Sequence, residues 1–262
     1  MTILVDINSH PRDKFIYMDE STHTYYLHEK PISISGTGFL HLFFEPFDGK
    51  NTAEQLSKKA KIGTKYYGKT ADEILEIWNS GTNAGTVMHK NIEDFWNGLN
   101  SIDEISDKTK YGLFKQCYQW IKKIGLEPYR TEWIIYDEDY DIAGSIDFVA
   151  KNPQTGKYWV IDWKRSNQLR RNSFGNKCGL GPCSNIEDCN GFHYQIQVNL
   201  YKHILEKRYE IEIEQCCVIN LHPDGISQDI LIAEDMQDKI KEMIIYWLGN
   251  KEILIEKHKK KH

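Results

Sequence analysis

The chain lacks any long apolar stretch. None of its segments approaches the roughly 20 apolar residues that a membrane-spanning helix needs. The first residues, MTILVDINSHPRDKF, also lack the apolar run of a signal peptide. We therefore expect an intracellular protein that is not secreted and has no membrane partner.

The six cysteines follow neither of the patterns that cysteine usually indicates. Without a signal peptide they do not suggest a disulfide framework, and the tight C-x₂-C pairs of strong zinc signatures are missing. One loose group consists of Cys178, Cys183, Cys189 and His193, with four, five and three intervening residues. This group has two interpretations, a zinc site or a loop with small buried thiols.

An excess of basic residues is also missing, since 33 Lys and Arg face 38 Asp and Glu for a net charge of −5. A local basic groove would still suffice to bind nucleic acid. Basic residues cluster in two places, which are Lys164, Arg165, Arg170, Arg171 and Lys177 in one run and Lys257, Lys259, Lys260 and Lys261 at the C-terminus. We expect phosphate contacts from the arginines of the first run, and we interpret the second run as a solvated, disordered end.

The apolar pattern predicts one α/β domain with an N-terminal elaboration. The predicted elements are a hairpin and a helix start over 14–45, helices over 52–62, 70–79, 86–96, 108–124, 192–207 and 234–257, and strands over 129–137, 142–150, 157–164 and 211–221. Gly81 to Gly85 are expected to separate two of the helices, with Thr86 capping the second. Tyr111 belongs to the apolar stripe predicted for 108–124.

Two adjacent strands carry the candidate catalytic residues. Residues 142–150 and 157–164 are rich in β-branched and aromatic residues, and 152–156 have the composition of a turn. If 153–156 form the loop, Asn152 faces Lys157 and Asp147 lies directly opposite Asp162. Lys164 points to the same side as Asp162. The other face collects the apolar residues Ile146, Phe148, Ala150, Trp159, Ile161 and Trp163.

Opposed carboxylates in a sheet repel each other. A bound divalent cation would relieve this repulsion and use it. The alternative is a solvated face with an ordinary Asp–Lys pair. Two acids and a lysine in this arrangement are what a metal-dependent phosphodiesterase needs, so we expect a metal-facing surface opposite an apolar one.

Other polar residues could complete such a site. His89 lies near the start of a predicted helix, with Glu93 one turn later on the same side, and an imidazole can complete a cation's shell, especially for Mn²⁺. Gln197 and Tyr201, spaced i and i+4, share one helix face. Glu132, on the strand that enters the hairpin, either lines the cleft or pairs with a lysine.

Together these residues resemble the PD-(D/E)XK nuclease superfamily, and within it the RecB-like exonuclease branch that includes phage and large-DNA-virus members. The matching pattern is Gly85-Thr86-x-x-His89, Gly144-x-x-Asp147, Asp162-x-Lys164 and Gln197-x-x-x-Tyr201, over about residues 85–205. The resemblance implies a restriction-endonuclease-like core, in which a central mixed β-sheet is flanked by helices. Residues 1–80 would be an N-terminal elaboration of the same domain, and 81–262 the nuclease core with a C-terminal helix and basic tail.

The resemblance also implies a role for each matched residue. His89, Asp147 and Asp162 would bind Mg²⁺ or Mn²⁺, together with the backbone carbonyl of Trp163. Lys164 would orient or help to deprotonate the attacking water. The pair Gln197 and Tyr201 would position the DNA strand, with Glu93 and Glu132 as possible accessory acids.

The expected function is that of a metal-dependent DNA nuclease, an exonuclease on single-stranded or end-frayed DNA in replication, recombination or repair. Two alternatives stay open. One is an RNA endonuclease, because viral cap-snatching nucleases also combine a histidine with two acids and a lysine. The other is a nuclease-fold nucleic-acid-binding protein without activity.

Overall fold

The computed structural model describes residues 3–105, 112–222, 224–225 and 229–261 of the chain, with the side chains of 104, 105, 112 and 258–261 left aside. The chain divides into two compact units. Residues 1–45 with 91–262 form the main unit, and residues 46–90 form the second unit. This division differs from the predicted boundary at residue 80, because residues 34–41 contribute a strand and a helix to the main unit.

The strands are short at the N-terminus and longer in the middle of the chain. They are β1 (Ile16–Asp19), β2 (Thr24–Leu27), β3 (Lys30–Pro31), β4 (Ile34–Ser35), β5 (Glu127–Asp137), β6 (Ile142–Lys151), β7 (Tyr158–Lys164), β8 (Ile213–Asn220) and β9 (Asp229–Ile232). The sequence predicted the long strands, but it missed β4 and β9. Both are too short for apolar alternation to be recognised.

The helices range from single turns to more than six turns. They are α1 (Leu4–Ile7), α2 (Gly36–His41), α3 (Gly49–Lys59), α4 (Ala71–Trp96), α5 (Ile102–Ile105), α6 (Gly112–Lys123), α7 (Asn190–Arg208) and α8 (Gln237–Lys261), with 3-10 turns at Asp13–Phe15 and Gly181–Cys183. No helix within the described ranges is both long and apolar enough to cross a bilayer. The predicted helical residues 108–111, including Tyr111, lie outside the described residues.

A mixed sheet forms the centre of the main unit. Among the described residues, β1, β2 and β3 make a small antiparallel sheet, and the other six strands make the mixed sheet in the order β4–β6–β7–β8–β9 with β5 on β6. The pair β7–β8 is parallel, whereas β5–β6, β6–β7 and β8–β9 are antiparallel. Helix α7 packs on β5, β7 and β8. The chain therefore has an α/β fold with a mixed sheet flanked by helices.

Strand β6 pairs with three other strands, and this creates a fork in the sheet. Strand β5 follows β6 from Ile142 to Lys151 along one edge. On the other edge, β4 pairs in parallel with Ile142 and Ala143, and β7 pairs with residues 148–151. Between these two partners, residues 144–147 of β6 face a gap. This fork holds the predicted Gly144-x-x-Asp147 motif.

Helix α4 is one continuous element of 26 residues, so the predicted break between Gly81 and Gly85 is wrong. A capping box begins the helix, because the Glu73 N–H donates to Thr70 Oγ1 at 3.2 Å and the Thr70 N–H donates to Glu73 Oε2 at 2.7 Å. A glycine inside a helix costs only about 1 kcal/mol, which the rest of a long helix can offset. Thr86 is therefore an internal helical residue and does not cap a helix.

The second unit consists of α3 and the first part of α4, joined by a turn-rich segment. Helix α3 begins at Asp48, whose carboxylate accepts the N–H of Asn51 at 3.0 Å. Trp78 of α4 packs against the ring of Phe47, with centroids 5.6 Å apart, and donates from Nε1 to the Tyr66 hydroxyl at 2.9 Å. These aromatic contacts tie α4 to the residues just before α3 and to the segment between the two helices.

The C-terminal basic residues belong to helix α8, which continues to Lys261. The interpretation of this end as disordered is therefore wrong. The helix contains one irregular residue, Asn250, with φ −132° and ψ 16°. Lysines near a helix C-terminus interact favourably with its dipole, which favours continuation of the helix over fraying.

Candidate active site

The register of the β6–β7 hairpin is the predicted one. Phe148 pairs with Ile161, and the Asn152 N–H donates to the Lys157 carbonyl at 2.8 Å. Counted one step further, this register sets Asp147 opposite Asp162. The ladder itself ends at Phe148, however, because β6 and β7 separate at the fork. The Asp147 carboxylate bridges the gap by accepting the Trp163 N–H at 2.8 Å.

Glu132 supplies a third carboxylate from the neighbouring strand. The pairs Thr131–Phe148 and Trp133–Ile146 place Glu132 opposite Asp147 in the β5–β6 ladder. One carboxylate oxygen of each acid lies within 4.8 Å of the other. The Ser145 hydroxyl donates to Glu132 Oε2 at 3.1 Å. Of the two sequence interpretations of Glu132, the structure therefore favours the one that places it in the cleft.

The backbone at Glu132 is in a left-handed conformation, with φ 42°. A side chain in this region costs about 1–3 kcal/mol and persists where the surroundings enforce it. Residues 131 and 133 would share a face in a regular strand. Instead, the Thr131 hydroxyl accepts from Asn97 Nδ2 at 3.0 Å after the end of α4, and Trp133 packs on Tyr209 at the end of α7. The strand therefore changes its facing at the acid.

The side chains of the predicted apolar face of the hairpin lie in two different clusters. Phe148 stacks on Trp96 with centroids 4.6 Å apart and lies 5.6 Å from Trp163. Ile146 instead belongs to the buried cluster that includes Tyr201 and Ile204 of α7. The prediction of a single apolar face from Ile146 to Trp163 is therefore wrong. Strict alternation of side chains assumes a regular ladder, and the fork interrupts the ladder.

Lys164 and Asp162 form a close ion pair at the end of β7. The Lys164 ammonium lies 3.0 Å from Asp162 Oδ1 and 2.8 Å from Oδ2. Burial alone would lower the pKa of Lys164, but the charges of Asp162 and Asp147 outweigh it and raise that pKa. The Asp162 side chain is only 5% exposed, so the interpretation as a solvated surface pair is wrong. The Lys164 ammonium also lies 4.9 Å from the centroid of the Tyr194 ring.

The backbone carbonyl of Trp163 also faces the fork. In an extended strand, the N–H and the C=O of one residue point to the same side. The Trp163 N–H points to Asp147, whereas the Lys164 carbonyl accepts from Leu221 on the opposite edge. The Trp163 carbonyl is therefore directed at the gap beside Asp147.

Helix α7 brings Gln197 and Tyr201 to the same fork. Tyr201 is 3% exposed, and its ring Cε1 lies 2.8 Å and 2.6 Å from the positions that a Cβ on Gly36 or Gly144 would take. Gln197 Nε2 donates to the Tyr201 hydroxyl at 3.1 Å and to Thr37 Oγ1 at 3.4 Å. The role of Tyr201 in positioning a DNA strand stays a prediction from the sequence. Its geometry fits a residue that positions Gln197.

Substitution of Gly144 by alanine is expected to destabilise the main unit by about 1–3 kcal/mol, the usual effect of overpacking. The new Cβ would lie 2.6 Å from Tyr201 Cε1, and relief of this clash would displace the strand that carries Asp147. Thermal unfolding by circular dichroism measures the effect. The matched control is Gly81→Ala, where the added methyl meets nothing within 4 Å. Equal melting temperatures for the two variants would contradict the close contact.

Tyr25 of β2 is a neighbour of the site that sequence reasoning missed. Burial raises its pKa to about 12, with a further contribution from the charge of Glu132 and a smaller one from Asp147. The backbone of Ser145 acts in the opposite direction and lowers that pKa. The N-terminal hairpin therefore reaches the acids. A lone tyrosine in a hairpin distant in sequence offered no signal for this.

The two predicted site residues of α4, His89 and Glu93, belong to different units. His89 belongs to the second unit, so its role as a metal ligand stays a prediction from the sequence. Glu93 belongs to the main unit, and its backbone carbonyl accepts from the side chain of Asn97 at 3.1 Å. Among the described residues, Glu93 is not part of a cluster of three potential metal ligands within 4.8 Å of one another. The structure therefore offers no support for Glu93 as an accessory acid.

The basic residues that follow Lys164 lie at the surface. Arg165 is half-buried, and Arg170 and Arg171 are exposed. The segment begins at Ser166, whose N–H donates to Asn220 Oδ1 and whose carbonyl accepts from Asn220 Nδ2, both at 2.8 Å. This clamp joins the end of β7 to the end of β8. The predicted phosphate-binding arginines are thus accessible, and the start of their segment is fixed next to Lys164.

The zinc interpretation of the cysteine group does not fit the structure. Cys178 is exposed, while Cys183 and Cys189 are buried. Burial raises the pKa of the Cys183 thiol to about 12, and the Cys189 thiol donates to the Arg170 carbonyl at 3.3 Å. Within the described chain, no cluster of three potential ligands inside 4.8 Å includes these cysteines or His193. Cys183 and Cys189 are small buried thiols, as the other interpretation expected.

Comparisons with known proteins add little to this geometry. No family model matches the chain, and no curated protein matches it. Among solved structures, one described as the crystal structure of SSO0001 is similar over 82% of this chain and 76% of that chain, with 12% sequence identity and a TM-score of 0.33. At this level of similarity nothing about the site is transferred, and its interpretation depends on the residues described above.

Proposed function

We propose that the protein is a metal-dependent nuclease with a restriction-endonuclease-like core, and that it hydrolyses phosphodiester bonds in DNA. The observation that carries this proposal is the set of three carboxylates on three adjacent strands, Glu132, Asp147 and Asp162, with the Lys164 ammonium bonded to one of them. Like charges so placed destabilise a sheet. A function that binds cations accounts for their presence.

The donor set fits Mg²⁺ or Mn²⁺, which prefer carboxylate and carbonyl oxygens. Asp147, Glu132 and Asp162 would hold the ion with the Trp163 carbonyl, and His89 is the further ligand that the sequence predicts. A divalent cation bound there would lower the pKa of bound water and would polarise the phosphoryl oxygen. Two pieces of support are structural, namely the oxygens of Glu132 and Asp147 within 4.8 Å of each other and the direction of the Trp163 carbonyl.

The protein's own groups would complete the chemistry. Lys164 places positive charge where negative charge develops on the phosphate, and such preorganised charge is a large part of enzymatic rate enhancement. Gln197, held by the Tyr201 hydroxyl, offers an amide to a strand that lies across the fork. Tyr25 offers a neutral hydroxyl beside Glu132, since its pKa is about 12.

The test is timed digestion of end-labelled single-stranded and double-stranded DNA, with free and with blocked ends, in Mg²⁺, Mn²⁺ or EDTA. We expect cleavage with either cation and none with EDTA, because the carboxylates alone cannot activate water. Faster loss of free-ended substrates would indicate an exonuclease. A single-stranded RNA of the same sequence tests the alternative substrate.

The same cation dependence is expected in the stability of the protein. A ligand that binds only the folded state stabilises it in proportion to its occupancy, so Mn²⁺ should raise the melting temperature and EDTA should reverse the change. Cleavage that persists in EDTA, or a melting temperature indifferent to Mn²⁺ and Mg²⁺, would contradict the proposed function.

A further inference from the structure

The segment after Lys164 forms a positively charged loop at residues 165–177, called here the basic loop. It contains Arg165, Arg170, Arg171 and Lys177 and has neither Asp nor Glu, although the whole chain has a net charge of −5. Within the part of the chain that the structure describes, none of these four side chains forms an ion pair. The basic loop therefore concentrates positive charge in a segment that begins directly after Lys164.

The basic loop is fixed to the helix that carries Gln197. Asn190, the first residue of α7, accepts the Arg170 N–H at 2.8 Å and donates to the Gln168 carbonyl at 2.9 Å. The Gly191 N–H donates to the Arg170 carbonyl at 3.1 Å. Gln197 follows Asn190 by seven positions, which is about 10 Å along the helix axis. Arg170 is thus held about two helical turns from the residue that faces the fork.

The tip of the basic loop presents an exposed aromatic ring. Phe174 is 86% exposed, the largest value among the exposed large apolar side chains of the described chain. The turn is held on both sides by the segment before α7. The Ser173 N–H donates to the Glu187 carboxylate at 2.5 Å, and the Lys177 carbonyl accepts the Asp188 N–H at 2.8 Å. Gly175 and Asn176 have φ of 78° and 55° and form the turn. The fixed backbone therefore directs the ring into solvent.

We propose that the basic loop is a platform for a single-stranded nucleic acid, on which Phe174 stacks against an unpaired base and Arg170, Arg171 and Lys177 neutralise the adjacent phosphates. This inference rests on the proposed function and specifies its substrate as an unpaired strand. Proteins that hold single strands combine a basic surface with aromatic stacking. A base inside a duplex is already stacked on both faces and does not offer one to Phe174.

The proposal is tested by binding, in a background that cannot cleave. Full-length Asp147→Asn protein is titrated against a fluorescein-labelled oligothymidylate, and anisotropy reports the dissociation constant. Phe174→Ala should weaken binding about tenfold, the effect of losing one stacked base. Phe174→Trp should retain the affinity, and Phe174→Leu, matched in apolar character, should behave as Phe174→Ala. Phe174 is exposed, so none of these changes should alter the melting temperature.

A second measurement separates the charges from the ring. Arg171→Ala should reduce the slope of log affinity against log salt by about 0.7, the expected change for one phosphate contact on a single strand. The control is Lys241→Ala on α8, an exposed lysine paired with Asp238, which should leave the slope unchanged. Phe174→Ala should weaken binding without changing the slope, because stacking releases no counterions.

The proposal is overturned if Phe174→Ala binds the oligothymidylate as tightly as the parent, or if blunt duplex binding falls by the same factor. An oligonucleotide without bases provides a further test. The proposal is also overturned if the parent protein binds this oligonucleotide as tightly as it binds oligothymidylate, and if Phe174→Ala and the parent bind the baseless oligonucleotide equally well. The outcome is distinct from that of the cleavage assay. If the protein cleaves DNA but Phe174→Ala binds normally, only the proposal of a stacking platform is rejected. If single strands bind through Phe174 but no cation-dependent cleavage is found, only the proposal of a nuclease is rejected.

Discussion

Asp147→Asn should lower the rate of phosphodiester cleavage by about 10³-fold or more, the scale of losing one preorganised electrostatic group at a reacting phosphate. Asp147 lies between the other two carboxylates, opposite Glu132 on β5 and opposite Asp162 on β7. Asparagine removes the charge that a cation needs. It still accepts the Trp163 N–H, which Asp147 accepts at 2.8 Å, so the fork should keep its backbone geometry.

The stability of the metal-free variant should change far less than its activity. Without a cation, Asp147 is repelled by the Glu132 carboxylate, with oxygens within 4.8 Å, and attracted by the Lys164 ammonium, whose pKa its charge raises. The two effects oppose each other, so we expect the metal-free variant to melt close to the temperature of the parent protein. The stabilisation by Mn²⁺ should be largely lost, because a ligand has been removed.

Single-turnover digestion and thermal unfolding with and without Mn²⁺ measure both effects. The control is Asp238→Asn, because that carboxylate is 96% exposed on α8 and its charge should affect neither cleavage nor the response to Mn²⁺. An Asp147→Asn protein that cleaves DNA at a rate close to that of the parent would remove Asp147 from the catalytic set.

Lys164→Met has the second large effect, and it should reduce both activity and stability. Cleavage should fall by about 10²–10³-fold, since the positive charge near the developing negative charge is lost. The metal-free protein should also lose about 3–5 kcal/mol of unfolding free energy, because Asp162 would be left as a buried charge without its partner. The Asp162 side chain is 5% exposed and lies 2.8 Å from the ammonium.

The pH of this experiment can be chosen from the direction of the pKa of Lys164. That pKa is raised, chiefly because the charges of Asp162 and Asp147 outweigh burial. A raised pKa means that the pair contributes its full stability below the unfolded pKa of lysine, about 10.4. The contribution is lost only as the pH rises through the still higher folded pKa. Urea unfolding at neutral pH therefore measures the whole pair.

A double variant provides the matched control for Lys164→Met. Adding Asp162→Asn removes the charge that the first change leaves unpaired, so Lys164→Met with Asp162→Asn should recover most of the lost stability and none of the activity. Mn²⁺ should likewise recover part of the stability of Lys164→Met. If Lys164→Met unfolds at the same urea concentration as the parent, the ion pair does not contribute to the fold as argued.

The hairpin could be predicted from sequence because its information is local. The turn at 152–156 sets the register, and the register sets Asp147 opposite Asp162, as the pair Phe148–Ile161 shows. Local information failed where a long-range partner decides the conformation. Alternation placed Ile146 with Phe148, but the positive φ of Glu132 and the end of the ladder at the fork send the two side chains to different clusters.

One further error and one missed feature have the same origin. Gly81 and Gly85 looked like a break because glycine is a poor helix former, yet the 26 residues of α4 are continuous. The burial of Tyr201 was missed, because the spacing shows only that it shares a helix face with Gln197. Its burial depends on the absence of a Cβ at Gly36 and Gly144, two glycines that come from distant parts of the chain and meet only at the fork.

The sequence by itself determined the hairpin register, the acid–acid–lysine set of Asp147, Asp162 and Lys164, and the spacing of Gln197 and Tyr201, because each depends on residues close together in the chain. Only the tertiary structure decided that Glu132 joins the acids, that Tyr25 reaches them and that Tyr201 is buried. These features depend on strands β2, β4 and β5 meeting β6, and contacts between distant segments leave no periodic trace in any one of them.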